Sequence, residues 1–141
     1  MKRLAAGWQV LTVLPMLVLT GVPARAAFDV GLPYPTEVAL SEEGDNGFLF
    51  RRFPGNQRLY TYDLDRAGRS YCNEGCEGAY PPVIAPASAK AMGEWSVIRR
   101  DDGRLQWAYR GHPVYSFFHD DPKAPHGDKD TEMWHLVPYE K

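Results

Sequence analysis

The sequence predicts a mainly β protein, a small antiparallel sandwich or barrel built from two similar β units. Three observations carry this. No segment holds a 3.6-residue apolar period over ten or more positions, so no long amphipathic helix is expected. Short runs rich in Val, Tyr, Phe and Trp alternate with clusters of Gly, Pro, Asn and Asp, the composition of strands and turns. One heptapeptide also occurs twice, as Leu59-Tyr60-Thr61-Tyr62-Asp63-Leu64-Asp65 and, 55 positions on, as Val114-Tyr115-Ser116-Phe117-Phe118-His119-Asp120. Both read aliphatic, Tyr, small hydroxyl, aromatic, two variable residues, Asp. A supersecondary unit used twice is the expected meaning.

The N-terminus reads as a targeting segment. Met1-Lys2-Arg3 is a short basic start, Val10–Thr20 is an apolar run, and Ala24-Arg25-Ala26 places small residues at −3 and −1 of a cleavage site. Residues 1–26 are therefore expected to be a signal peptide cleaved near Ala26. The apolar run is about half of the roughly 20 residues that a membrane helix needs. No Cys follows it for acylation, so no membrane anchor is expected. The remaining 27–141 are expected to form a single β-rich domain, periplasmic or secreted, with its motif copies near 55–70 and 110–125. Removing Lys2, Arg3 and Arg25 takes the 16 basic residues to 13 against 18 acidic, and the net charge from −2 to −5. That balance argues against nucleic acid as a partner.

Taken in order, Pro33 and Pro35 bar a helix from the start of the mature chain. Thr36–Leu40 is a candidate strand, Glu42–Gly47 a turn, and Phe48–Phe53 a strand. Pro54-Gly55-Asn56 signals a second turn before Arg58–Leu64, so a hairpin whose second arm carries the motif is expected. Cys76–Tyr80 fits one helical turn stopped by Pro81-Pro82, and Val83–Ala91 reads as a loop. Trp95–Arg100, the Asp102-Gly103 turn, Leu105–Tyr109, another turn and Val114–Phe118 predict a three-strand meander. A polar loop, 121–130, precedes a last strand at Met133–Val137. Trp95, Trp107, Trp134 and the motif aromatics are the candidate core.

Cys72 and Cys76 are the two cysteines, in Cys72-Asn73-Glu74-Gly75-Cys76. In an exported chain a disulfide is the default. So short a ring contributes about 2 kcal/mol. A redox or metal-binding dithiol is the alternative.

These features together resemble a known family, the bacterial secreted-repeat lipoproteins with a Tyr-x-aromatic-x-x-Asp signature, whose function is not established. The resemblance runs from about residue 55 to 137 and covers both motif copies, Ser70–Cys76, Tyr80-Pro81-Pro82 (where the family has Trp-Pro-Pro), Gly93–Gly103, Gln106–Tyr109, Gly127-Asp128 and Trp134-His135-Leu136. The chain departs from the family in lacking the lipobox cysteine and in a shorter, Gly-poor loop before Trp134. The resemblance implies a β-rich envelope domain and no activity.

Several side chains are candidates for chemistry. Tyr60, Tyr62, Asp65, Tyr115, Phe117 and Asp120 either form a strand-and-turn unit or line a ligand pocket. In the first case the two Asp accept backbone N–H bonds from the following turn. All four histidines, His112, His119, His126 and His135, lie in the last thirty residues. With Asp120, Asp128 or Met133 they are a candidate metal set, but none has a tight ligand spacing. A Cys-x3-Cys pair with distant His is also the ligand set of periplasmic copper chaperones, although their βαβ pattern is missing here. Asp128–Glu132 lacks the Gly and Glu of a calcium loop at the required positions and reads as a solvated acidic loop. No nucleophile elbow, zincin helix or phosphate loop is present, so no catalytic residue is assigned. Asp101-Asp102 is better explained by its turn than as an acid–base pair.

The expected function is thus an exported, non-catalytic β domain with no cofactor, binding an envelope partner or small ligand or serving a structural role. The alternative is a periplasmic copper- or haem-associated redox protein using Cys72, Cys76 and the histidines.

Overall fold

The computed structural model describes residues 33–121, 123, 126–128 and 132–140. The expected signal peptide, its expected cleavage site and part of the acidic loop at 128–132 lie outside the described residues. The described chain is mainly β, with eight strands in three small antiparallel sheets and one short helix. Among the described residues no sheet closes into a barrel.

Two hairpins of matching construction frame the fold. In the first, β1 (Val38–Glu42) pairs with β2 (Phe48–Arg52), from Val38↔Arg52 to Glu42↔Phe48. A 3-10 turn at Gly44–Asn46 joins them. In the second, β4 (Trp95–Arg99) pairs with β5 (Leu105–Tyr109), from Trp95↔Tyr109 to Arg99↔Leu105. Adding 57 to every position of the first register gives the second. The turn closures match as well. Glu43 N–H donates to Gly47 O, and Arg100 N–H to Arg104 O. Phe53 N–H donates to Glu37 O, and Arg110 N–H to Glu94 O.

The motif strands come next. β3 (Leu59–Tyr62) carries the first copy. The second follows β6 (His112–Pro113) as β7 (Tyr115–Ser116). The expected third strand of the meander is therefore only the two residues of β6, which pair with β5. After Val114 the chain leaves that sheet, because β7 pairs with β3 across Tyr60↔Tyr115. Nor is β3 the second arm of a hairpin with β2. The two touch through a single bridge, Arg51↔Arg58, and β3 takes its ladder partners from β7 and β8 (Trp134–Leu136).

The last segment of each unit serves the other unit. Val137 N–H donates to Leu59 O at 3.0 Å, and Val83 N–H to Val114 O at 3.0 Å. Phe50 N–H reaches Val137 O, and Trp107 N–H reaches Val83 O. Asp63 N–H donates to Met133 O, and Phe118 N–H to Ala79 O. Residues 38–85 and 95–139 are thus two copies of one unit, related by an internal two-fold through the Tyr60–Tyr115 pair. Each copy is completed by the other's final segment. Val83–Ala85, expected as loop, is the counterpart of Val137–Tyr139 and hydrogen bonds like a strand.

Strand alternation sorts the core into two clusters. Leu59 and Val114 face a cluster with Val38, Phe50, Trp95, Trp107 and Val137. Tyr60 and Tyr115, one residue on, face the opposite side with Cys72, Tyr80, Phe117 and Trp134. The central sheet is buried on both faces, and Leu59, Tyr60, Val114 and Tyr115 are all 0 % exposed. Full burial of side chains this large stabilises the fold by roughly 1.5–3 kcal/mol each.

Candidate functional site

The motif side chains meet between the two copies, and they meet crosswise. Tyr60 of the first copy donates its O–H to Asp120 Oδ1 of the second, at 3.0 Å. Tyr115 of the second donates to Asp65 Oδ2 of the first, at 2.8 Å. Each carboxylate also accepts a backbone N–H six residues on, Asp65 from Tyr71 at 2.7 Å and Asp120 from His126 at 3.0 Å. The Asp therefore closes its own turn, as its position at the end of the strand suggests, while its second task is to bind the phenol of the other repeat. The spacing Tyr-x4-Asp sets this up: the antiparallel Tyr60↔Tyr115 pairing carries each strand's following turn past the other strand's Tyr.

The surroundings of the two pairs differ. Asp120 Oδ2 accepts the Arg58 N–H at 3.2 Å and lies 3.7 Å from the Arg58 guanidinium. That guanidinium also donates to Glu43 and to Asp121 O. Burial alone would raise the Glu43 carboxyl, but Arg58 and Arg51 outweigh it and hold it below its ordinary value. At the other pair, the Tyr115 oxygen shares a 2.7 Å hydrogen bond with Ser70 Oγ, which accepts from Arg100 at 2.9 Å. Among the described residues no ion pair reaches Asp65. Burial pushes its carboxyl up, and the Tyr71 N–H and Tyr115 O–H offset this only in part. Both phenols are pushed well above the ordinary tyrosine range, first by burial, with the partner carboxylate adding to it.

Packed on the pairs is a stack of four rings. Tyr62 stacks on Trp134 (centroids 4.4 Å), Trp134 on Tyr80 (3.6 Å, 2° between planes), and Tyr80 on Phe117 (4.8 Å). The stack obeys the same two-fold, since Tyr62 corresponds to Phe117 and Tyr80 to Trp134. The Tyr80 O–H donates to Gly127 O at 2.7 Å. Gly127 passes so close to Tyr60 that a Cβ there would lie 2.7 Å from the ring.

The other candidates lie apart from this cluster. Cys72 and Cys76 are joined, with Cα atoms 5.2 Å apart, and α1 (Gly75–Ala79) begins inside the loop they close. His135 Nε2 lies 2.9 Å from Asp63 on the surface, and both side chains are half exposed. His112 is exposed on β6, and the His119 ring touches Phe117 and Phe118. His126 meets Asp120 through its backbone N–H alone among the bonds described. Among the described residues no three His, Cys, Asp or Glu side chains converge as a metal site. Asp101 and Asp102 occupy the second hairpin turn, where Asp102 binds Arg104.

Sequence reasoning missed Arg58, Ser70, Arg100 and Gly127. Arg100 is 3 % exposed and donates to Ser70, Gln106 and Cys72 O. Nothing in a charged residue beside an Asp-Asp-Gly turn signals burial. Ser70, Tyr80 and Gly127 had a signal in the family resemblance, which gives them no role.

Residues 96–137 match the family model of the Lipoprotein_15 family, described as a secreted repeat of unknown function. That stretch is similar to this family's repeat. It coincides with the second of the two structural copies, and the first copy repeats its hairpin, motif and closing segment. Comparison with curated proteins and with solved structures returned no match.

Proposed function

We propose that the protein is an exported cell-envelope β domain acting without catalysis, in a structural or binding role. The observation that carries this reading is the crossed Tyr–Asp arrangement. The phenols and carboxylates of the signature motif are buried and bonded to one another, so the motif works as a clasp between repeats. The description of the family as secreted supports export, and the signal-like N-terminus supports cleavage near Ala26 into the periplasm or medium.

A binding role would fall to the variable motif positions, which the turns leave outside. Leu64 is 56 % exposed and Phe118 67 %. Phe118 borders a cavity of about 190 Å³ that Gly55, Gln57, Arg58, Asp120 and Asp121 also line. An envelope partner or small ligand meeting this end would lie against the Arg58–Asp120 side of the clasp.

The test is metal analysis, a visible spectrum and thiol titration on protein recovered from the periplasm or medium. The reading expects a chain starting at Ala27, oxidised cysteines and no stoichiometric copper or haem. Stoichiometric copper or haem with free thiols would favour the metal-linked alternative instead.

A further inference from the structure

We propose that the cavity beside Phe118 binds one sugar ring of a neutral glycan, with Phe118 as its stacking platform and the Gln57 amide as its main polar contact. This rests on the binding reading given above and names the ligand class for that end of the molecule. Size, charge, unpaired polar atoms and one asymmetry carry it.

The cavity measures about 190 Å³. Sites for drug-sized ligands begin at roughly 300 Å³, so this one suits a single ring. Phe118 stands at its rim and is 67 % exposed. The Phe118 backbone N–H donates to Ala79 O at 2.9 Å, and the His119 ring meets the phenyl edge-on at 5.0 Å, so the platform is held in place. A phenyl ring offers a π face without a hydrogen-bonding edge, which suits the C–H face of a sugar.

The charges lining the cavity are largely matched already. The Arg58 guanidinium donates to Glu43 and to Asp121 O, and Asp120 accepts from Tyr60, His126 and Arg58. An anion entering here would meet the Asp120 and Asp121 carboxylates, and a cation would meet Arg58. A neutral ligand avoids both.

Three polar side chains around the cavity have bonding capacity left. Gln57 Oε1 is buried and, among the described residues, accepts no hydrogen bond. A buried acceptor is costly unless a water or a ligand supplies the donor. The Gln57 amide lies over Gly55, where a Cβ would be 2.4 Å from Oε1, so the missing side chain makes room for it. The last torsion of a Gln is broad, and the amide can turn its oxygen onto a ligand hydroxyl. Asn56 is held at φ 61° by two backbone bonds, its N–H to Arg52 O and its O from Arg51. Its side-chain amide makes none among the described residues. Asp121 Oδ1 accepts the Lys123 N–H, which leaves Oδ2. Two amides and a carboxylate oxygen offer the mixture of donors and acceptors that sugar hydroxyls, each donor and acceptor at once, can answer. An apolar ligand would leave the Gln57 acceptor unpaired.

The internal two-fold does not repeat the site. It places Asp63 where Phe118 stands, and Asp63 lies 2.9 Å from His135. One site per chain is therefore expected.

The test titrates the full exported chain with cellobiose, with N,N′-diacetylchitobiose and with triglycine. It is read by nuclear magnetic resonance of labelled phenylalanine and by thermal unfolding. The proposal predicts saturable one-to-one shifts of the Phe118 ring with at least one of the two sugars, at a dissociation constant of about 1 mM, and none with triglycine. Phe118→Ala, at so exposed a position, leaves the fold intact and weakens sugar binding by about tenfold. Gln57→Leu removes the unpaired acceptor, so it raises the thermal midpoint while weakening sugar binding by about tenfold. A side chain that served the fold alone would move stability and not affinity. Sugar affinity unchanged in either variant would overturn the proposal. Phe118 shifts with triglycine, with or without the sugars, would overturn the sugar assignment and leave the binding reading standing. Silence with all three probes would overturn it and take this cavity out of the binding reading.

Discussion

The two Tyr–Asp pairs occupy equivalent places and are balanced differently. Asp120, under Tyr60, has a guanidinium at 3.7 Å and that arginine's own N–H at 3.2 Å. Asp65, under Tyr115, has a serine-bridged arginine one bond further out, on the phenol side. One pair is charge-compensated directly and the other through a neutral relay of hydroxyls. The difference traces to single residues, since Arg58 in the first copy corresponds to Pro113 in the second and Glu43 corresponds to Arg100. A common backbone can thus carry two electrostatic solutions.

The largest expected break in this comparison is Asp120→Ala against Asp65→Ala. Removing Asp120 leaves the Tyr60 hydroxyl and the Arg58 and His126 backbone N–H groups without their acceptor and takes one of two carboxylates from the buried Arg58, at a cost of about 4 kcal/mol. Removing Asp65 leaves a neutral phenol and a backbone N–H, at about 2 kcal/mol. Urea denaturation midpoints of the two variants would establish the order, and equal losses would remove the distinction between the sites.

Next in size are the two residues that pack behind the pairs, Gly127 and its counterpart Cys72. Gly127→Ala forces a methyl into the Tyr60 ring and should cost about 2 kcal/mol by overpacking. Opening the disulfide with Cys72→Ala/Cys76→Ala should cost a similar amount, about 2 kcal/mol. Thermal midpoints measured on both are the check. A neutral Gly127→Ala would mean that Tyr60 can yield.

A smaller effect concerns pH. Burial raises Asp65 above its ordinary 3.8, so the folded state holds that proton more tightly than the unfolded chain. Its contribution is complete below 3.8 and is lost as pH rises through the folded value. Glu43 lies below its ordinary 4.5, so its contribution is present above 4.5 and is lost as pH falls through the folded value. Asp65→Asn should therefore gain on the parent protein from acid toward neutral pH, while Glu43→Gln falls behind over the same interval. Denaturation across a pH series reads this directly, and identical profiles for all three proteins would contradict it. Smallest of all, Ser70→Ala removes one hydroxyl bridge and should cost about 1 kcal/mol, against no change at the Arg58 pair.

Much of the strand-and-turn layout was legible in the sequence because it is local. Asp102-Gly103 and Pro54-Gly55 mark chain reversals through their own backbone preferences, Pro81-Pro82 ends the helical turn, and the Val, Tyr and Trp runs between them form strands. The repeated heptapeptide gave the presence of two units. What was not legible is non-local. That β7 would leave its meander for β3 depends on the other copy, and so does the service of Val83–Ala85 to the second hairpin. Arg58 and Arg100 look like solvent-facing charges until the chain is folded around them. The motif showed its Tyr and Asp, but whether they bind a ligand, a turn or each other is decided by the Tyr60↔Tyr115 register, which no local signal encodes.

The central claim is that the motif clasps one repeat to the other. Its most direct test is a pair of double-mutant cycles read by urea denaturation, Tyr60→Phe with Asp120→Asn across the repeats and Tyr60→Phe with Asp65→Asn within one. The crossed arrangement predicts a coupling of about 1–3 kcal/mol in the first cycle and additivity within about 0.5 kcal/mol in the second. Coupling confined to Tyr60 and Asp65, with Tyr60 and Asp120 additive, would contradict it.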